Sequence, residues 1–182
     1  MKARTVILWS NVALSGGWFG VLQWCAFLLL QSYLASTAIV YLLATSVWLV
    51  GSVAGLVWGG RGRERTWIAT AVAGYYGLRA LAVAHPYDMR WLPLLLVGVA
   101  VMGAYAGRFF RCRQQANPKW LFFVENTGFV AGIIVTAVAL FLWGDVFLLV
   151  APGALGAACW LSAAAGNRRN SGGPPQKLRA AV

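Results

Sequence analysis

The chain has 182 residues, 60% of them hydrophobic and 10% charged, and a formal net charge of +11. A soluble domain carries about 25% charged residues, so this excess of apolar residues, gathered in long runs, places the chain among membrane proteins. The positive charge does not indicate nucleic acid, because most basic residues lie in short clusters between apolar runs, where they set membrane topology.

The N-terminus, MKART, is short and basic, and an apolar run follows. Ser10, Asn11 and Ser15 interrupt that run and it continues past signal-peptide length, so it reads as a first span over about 6–34, with Gly16-Gly17 suited to a break or a kink. Gln23 and Gln31 lie deeper in it, suited to hydrogen bonding with a neighbouring helix or to lining a polar cavity. A second span covers about 37–58. Gly51, Gly55 and Gly59 fall four residues apart on one helix face, where another backbone approaches closely, and the tight basic loop GGRGRER follows.

The third span, about 67–84, contains Tyr75, Tyr76 and Arg79. Arg79 either snorkels toward the surface near His85-Pro86 or pairs with Glu125. The loop HPYDMR leads to a fourth span over about 91–109, with Pro93 in its first turn and Gly103 and Gly107 again four apart. A second basic loop, RFFRCRQQANPK, precedes the fifth span, about 119–143, which carries Glu125 and Asn126 near its basic end and small residues at Gly128, Ala131 and Gly132. A turn at Gly144-Asp145 leads to a sixth span over about 146–165, expected to bend at Pro152, Gly153 and Gly156. Residues 1–166 thus form a six-helix transmembrane domain, and residues 167–182 read as a basic flexible tail.

The N-terminus, the loops at Arg61–Arg65 and Arg108–Lys119 and the tail are basic, while the alternate connections hold at most one Lys or Arg each. The expectation is an all-α polytopic protein with both ends in the cytoplasm, in a bacterial inner membrane. Trp58, Trp67 and Trp120 fall at the inner interface and Trp91 and Trp143 at the outer one.

Little in the chain suggests chemistry. Cys25, Cys112 and Cys159 share no metal-type spacing, and one histidine, His85, gives no basis for a histidine-ligated metal or haem. No Ser-His-Asp or Cys-His arrangement, paired carboxylates or glycine-rich phosphate loop is present, so neither catalytic residues nor a metal site are assigned. A carboxylate inside a span is costly and needs protein, water or a partner. Glu125 is therefore a structural lock to a neighbouring helix, a contact with a partner protein, or part of a transport site with Asn126, Arg79, Asn11 and Gln23.

The segments LVGSVAGLVWGGRGRER, Leu49 to Arg65, and ENTGFVAGIIVTAVAL, Glu125 to Leu140, resemble the multi-span membrane domain joined to spermidine-synthase-like proteins. They also resemble the glycine-spaced helices of one six-helix half of a major-facilitator transporter. The synthase family's catalytic part is a Rossmann-like domain with a glycine-rich cofactor loop and acidic substrate ligands. This chain carries no such motifs, and where the first span of the family domain usually carries a glutamate the corresponding region here reads GVLQWCAF, in which only Gln23 is polar. The resemblance therefore implies shared ancestry of the membrane part and no synthase residues.

The functional expectation is a non-catalytic accessory or assembly subunit that packs against other proteins of a larger membrane complex, for example a respiratory or photosynthetic one. The alternative is a transporter-like half that homodimerises and moves a small substrate, of which a cation would suit Glu125. No cofactor is expected, although a bound lipid, quinone or pigment leaves little trace in a sequence. The expected partners are the lipid bilayer and other membrane subunits, or a second copy, and no nucleic acid.

Overall fold

The computed structural model describes residues 2–34, 37–60, 62–113 and 117–171, with side chains described from 8 to 164 within those limits. Six α-helices make up nearly all of it: α1 (Lys2–Tyr33), α2 (Ala38–Trp58), α3 (Glu64–Ala84), α4 (Leu92–Cys112), α5 (Pro118–Trp143) and α6 (Asp145–Ser171), with a 3₁₀ turn at Met89–Trp91 before α4. Among the described residues there is no strand. All six helices contain a stretch long and apolar enough to cross a bilayer, which marks an integral membrane protein.

Local chemistry sets the helix ends. Thr37 caps α2 by accepting the Val40 amide, and Asn117 caps α5 by accepting the Lys119 amide, with Pro118 at the first helical position. The last turn of α2 leaves carbonyls without helical donors. Arg111 of α4 donates to two of them, those of Leu56 and Val57.

Packing rests on two parallel helix pairs whose backbones touch. In the first, α1 lies against α5. A Cβ placed at Gly16 would strike the Glu125 carbonyl, one at Gly20 the Phe129 carbonyl, one at Gly128 the Ala13 carbonyl and one at Gly132 the Gly17 carbonyl. In the second, α2 lies against α4. A Cβ at Gly51 would strike Ala100, at Gly55 Ala104, at Gly103 Trp48 and at Gly107 Ser52, each at backbone carbonyl oxygen. Gly59 continues the row, 2.7 Å from the Arg108 Cβ when given a Cβ. Such close approach favours dispersion contact and Cα–H···O=C interactions, which drive helix association where lipid removes the hydrophobic contrast.

Helix α3 runs antiparallel to α4, with Gly74 facing Gly98 and Val101, and antiparallel to α6. Pro152 lies inside α6 and has no N–H to give the Leu148 carbonyl. The Tyr75 hydroxyl of α3 supplies that missing donor at 2.7 Å, and Tyr76 donates to the next carbonyl, Leu149, at 2.6 Å. Trp18 Nε1 of α1 donates to the Pro152 carbonyl at 2.9 Å. Gly153 lies against the Tyr76 hydroxyl and Gly156 against Val72 and the Trp18 ring, so α6 is keyed into aromatic side chains of α1 and α3.

The centre of the bundle is filled. Trp18, Phe19, Tyr105 and Phe109 are at most 1% exposed. Their rings meet in a chain of tilted and edge-to-face contacts, with centroids 5.4 Å apart for Trp18–Tyr105, 5.5 Å for Phe19–Tyr105 and 5.4 Å for Phe19–Phe109.

Two expectations change. The break anticipated at Gly16-Gly17 is absent, and α1 is one continuous helix. The glycines there clear space for the α5 backbone, which needs no interruption of α1's own hydrogen bonds. The stretch from residue 167, expected to be a flexible tail, is helical as far as Ser171; residues 172–182 lie outside the described residues.

Gly55→Leu should therefore lower stability by about 1–3 kcal/mol or more through overpacking against Ala104. Gly77→Ala, where a Cβ meets nothing within 4 Å, should be neutral or stabilise by up to about 1 kcal/mol. Tyr75→Phe should cost about 1–3 kcal/mol by orphaning the Leu148 carbonyl. Denaturant titration in detergent, followed by circular dichroism, measures all three.

Candidate functional site

Charges segregate to the two ends of the bundle. At one end Arg108, only 4% exposed, donates to the Gly62 carbonyl at 2.6 Å and lies 5.4 Å over the Trp67 ring. Arg113 pairs with Glu64 at 2.9 Å, and Arg65 lies 4.7 Å over the Trp160 ring. Much of this basic cluster thus clamps helix ends and the loop after α2.

At the opposite end Arg79 of α3 holds Asp145, the first residue of α6. Its Nη1 donates to Oδ1 at 3.0 Å and its Nη2 to Oδ2 at 2.7 Å, a two-point fork. The pairing of Arg79 with Glu125 raised from the sequence is not formed. Arg79 lies near the end of α3 where α6 begins, whereas Glu125 belongs to the first two turns of α5 and therefore lies toward the other end of the bundle.

Glu125 is 6% exposed and, among the described residues, has no hydrogen bond or ion pair. Its backbone is pressed against Gly16, which fixes its position on α1. The residue lines a cleft of about 380 Å³ between α2 and α5. The floor comes from α1 and α4, through Phe19, Gln23, Ala106 and Gly107, and one wall is Trp48 and Ser52 of α2. Phe122, Asn126 and Phe129 of α5 complete the other wall around Glu125. Leu49 and Phe122 are 59% and 60% exposed, so the cleft opens sideways out of the bundle. Phe110 closes against Phe122 with ring centroids 6.1 Å apart.

The structure thus brings Gln23, Glu125 and Asn126 together and leaves Arg79 and Asn11 out of the cleft. Asn11 is half-buried on α1, more than a turn before Gly16. Ser52, Trp48 and Phe110 join the cleft without having been singled out in the sequence. Ser52 keeps its hydroxyl on its own helix, donating to the Trp48 carbonyl at 3.0 Å. The glycines at 51, 55, 59, 103, 107, 128 and 132 all lie at helix contacts and none offers a ligand.

A second groove, about 500 Å³, runs along α1, α5 and α6 over Gly17, Gly128, Ala131 and Gly132. Thr127 there donates its hydroxyl to the Phe123 carbonyl of its own helix, and the rest of the lining is apolar, so this groove presents no chemistry. Among the described residues no three His, Cys, Asp or Glu side chains gather as metal ligands. Cys25 and Cys159 are separately buried and Cys112 is exposed.

No protein-family model, curated protein or solved structure matches the chain.

Because Glu125 has no partner among the described residues, Glu125→Gln should leave stability unchanged or raise it, whereas breaking a buried internal ion pair would cost about 3–5 kcal/mol. Asp145→Asn should cost at most about 1 kcal/mol, since Asp145 is largely exposed. Unfolding of both variants in one detergent tests the contrast.

Proposed function

We propose that this protein is a non-catalytic accessory or assembly subunit of a larger complex in a bacterial inner membrane. The observation that carries the reading is the filled centre. Trp18, Phe19, Tyr105 and Phe109 occupy the space where a transporter half would need a polar path, and backbone contacts join α1 to α5 and α2 to α4 in two tight pairs. The membrane orientation belongs to the same proposal: Arg63, Arg65, Arg108, Arg111, Arg113 and Lys119 follow or precede spans at one end, which the positive-inside bias assigns to the cytoplasm together with both termini.

Large apolar side chains along α2 and α5, among them Ile39, Val50, Val53, Ile134, Val138 and Phe141, are exposed at the bundle surface and available to lipid or to neighbouring subunits. The likeness of Leu49–Arg65 and Glu125–Leu140 to the membrane domain of spermidine-synthase-like proteins fits a scaffold of that ancestry whose role is packing rather than synthesis.

Purification of the tagged protein from its native membrane in mild detergent, with native mass measurement, tests this reading. Stoichiometric foreign subunits are expected. A clean monomer or homodimer, with cross-linking in intact membranes also finding no foreign subunit, would sink it.

A further inference from the structure

Beyond that role, we propose that the cleft between α2 and α5 binds a small amphipathic molecule bearing a single positive charge, an ammonium head on an apolar body, which enters sideways from the bilayer. Glu125 is 6% exposed as a residue, and a carboxylate in so apolar a setting has strong need of a counter-charge or a hydrogen-bond donor, yet Glu125 makes no ion pair or hydrogen bond among the described residues. The arginines held in ion pairs are engaged away from the cleft: Arg79 with Asp145 and Arg113 with Glu64.

The other lining groups favour a cation. Phe19, Trp48, Phe122 and Phe129 line the same cleft as Glu125, and the negative faces of such rings attract ammonium groups. Gln23 and Asn126 also line the cleft, and a side-chain amide has an oxygen that can accept an N–H bond. One carboxylate matches one charge; a polycation would bring further charges into an apolar cleft with nothing to meet them. A volume of about 380 Å³ is that of a small-ligand site, mostly apolar with a few polar groups that orient the guest. The exposed rim at Leu49 and Phe122 lets a membrane-dissolved molecule reach the site while its apolar body stays in lipid contact.

The test uses the full chain in nanodiscs of zwitterionic lipid, titrated calorimetrically with octylammonium and, as the uncharged control, 1-octanol. Wild-type protein should bind one octylammonium per chain above the partition into empty nanodiscs. Glu125→Gln should weaken that binding by about tenfold or more, the scale of one charge-assisted hydrogen bond, and should not change the octanol signal. Phe122→Ala keeps the carboxyl and alters only an exposed rim ring; it should weaken binding by about two- to fivefold and carries the test if Glu125→Gln does not fold. Equal affinity in wild type and both folded variants, or no saturable binding, overturns the proposal. So does a co-purified membrane protein whose basic side chain occupies the cleft and blocks the probe.

Discussion

The fold depends on helix backbones touching where side chains are missing. In a bilayer, apolar side chains gain little by leaving lipid for one another, so close contact has to come from shape. Gly16, Gly20, Gly128 and Gly132 let α1 and α5 meet at carbonyl distance, and Gly51, Gly55, Gly103 and Gly107 do the same for α2 and α4. The contact rows rise together along each pair, which sets the two pairs parallel and fixes their register. Any Cβ on those rows would collide with a backbone carbonyl that cannot move without shifting a whole helix.

The remaining features follow from that arrangement. Once α1 is seated on α5, Trp18 and Phe19 point into the centre and meet Tyr105 and Phe109 of α4. Helix α6 then closes the bundle against α3, where Tyr75 and Tyr76 give hydrogen bonds to Leu148 and Leu149 around Pro152. A proline that would otherwise leave a carbonyl bare in lipid is tolerated because a neighbouring helix supplies the donor. The same seating presses Glu125 against Gly16 and leaves its carboxyl in the space between α2 and α5.

The six spans and the all-helical class were legible because uninterrupted apolar runs of spanning length, separated by basic loops, admit little else. Helix pairing was not. Four-residue glycine spacing announces that a backbone approaches, but nothing in Gly51 or Gly55 says that it belongs to α4. At Gly16-Gly17 the same residue type suited a break equally well, and only the opposing Gly128 and Gly132 show that it makes room instead. Arg79 was recognisable as an intramembrane charge, yet Asp145 lay hidden in what read as a turn, because α6 begins directly at that residue. Gln23, Glu125 and Asn126 stood out as polar residues in apolar runs. The contribution of Trp48 and Ser52 depended on how α2 is set beside α4, which is a tertiary fact.

A rigid, filled bundle is the central claim, and distance measurement across the cleft tests it most directly. Spin labels at Val50 of α2 and Ile134 of α5, both on the exposed surface, would be placed in a variant with the native cysteines replaced and read by pulsed electron resonance in nanodiscs. One narrow distance distribution, unchanged by a pH step, is the expected result. Two exchanging populations would show the α1–α5 and α2–α4 pairs moving against each other and would contradict it.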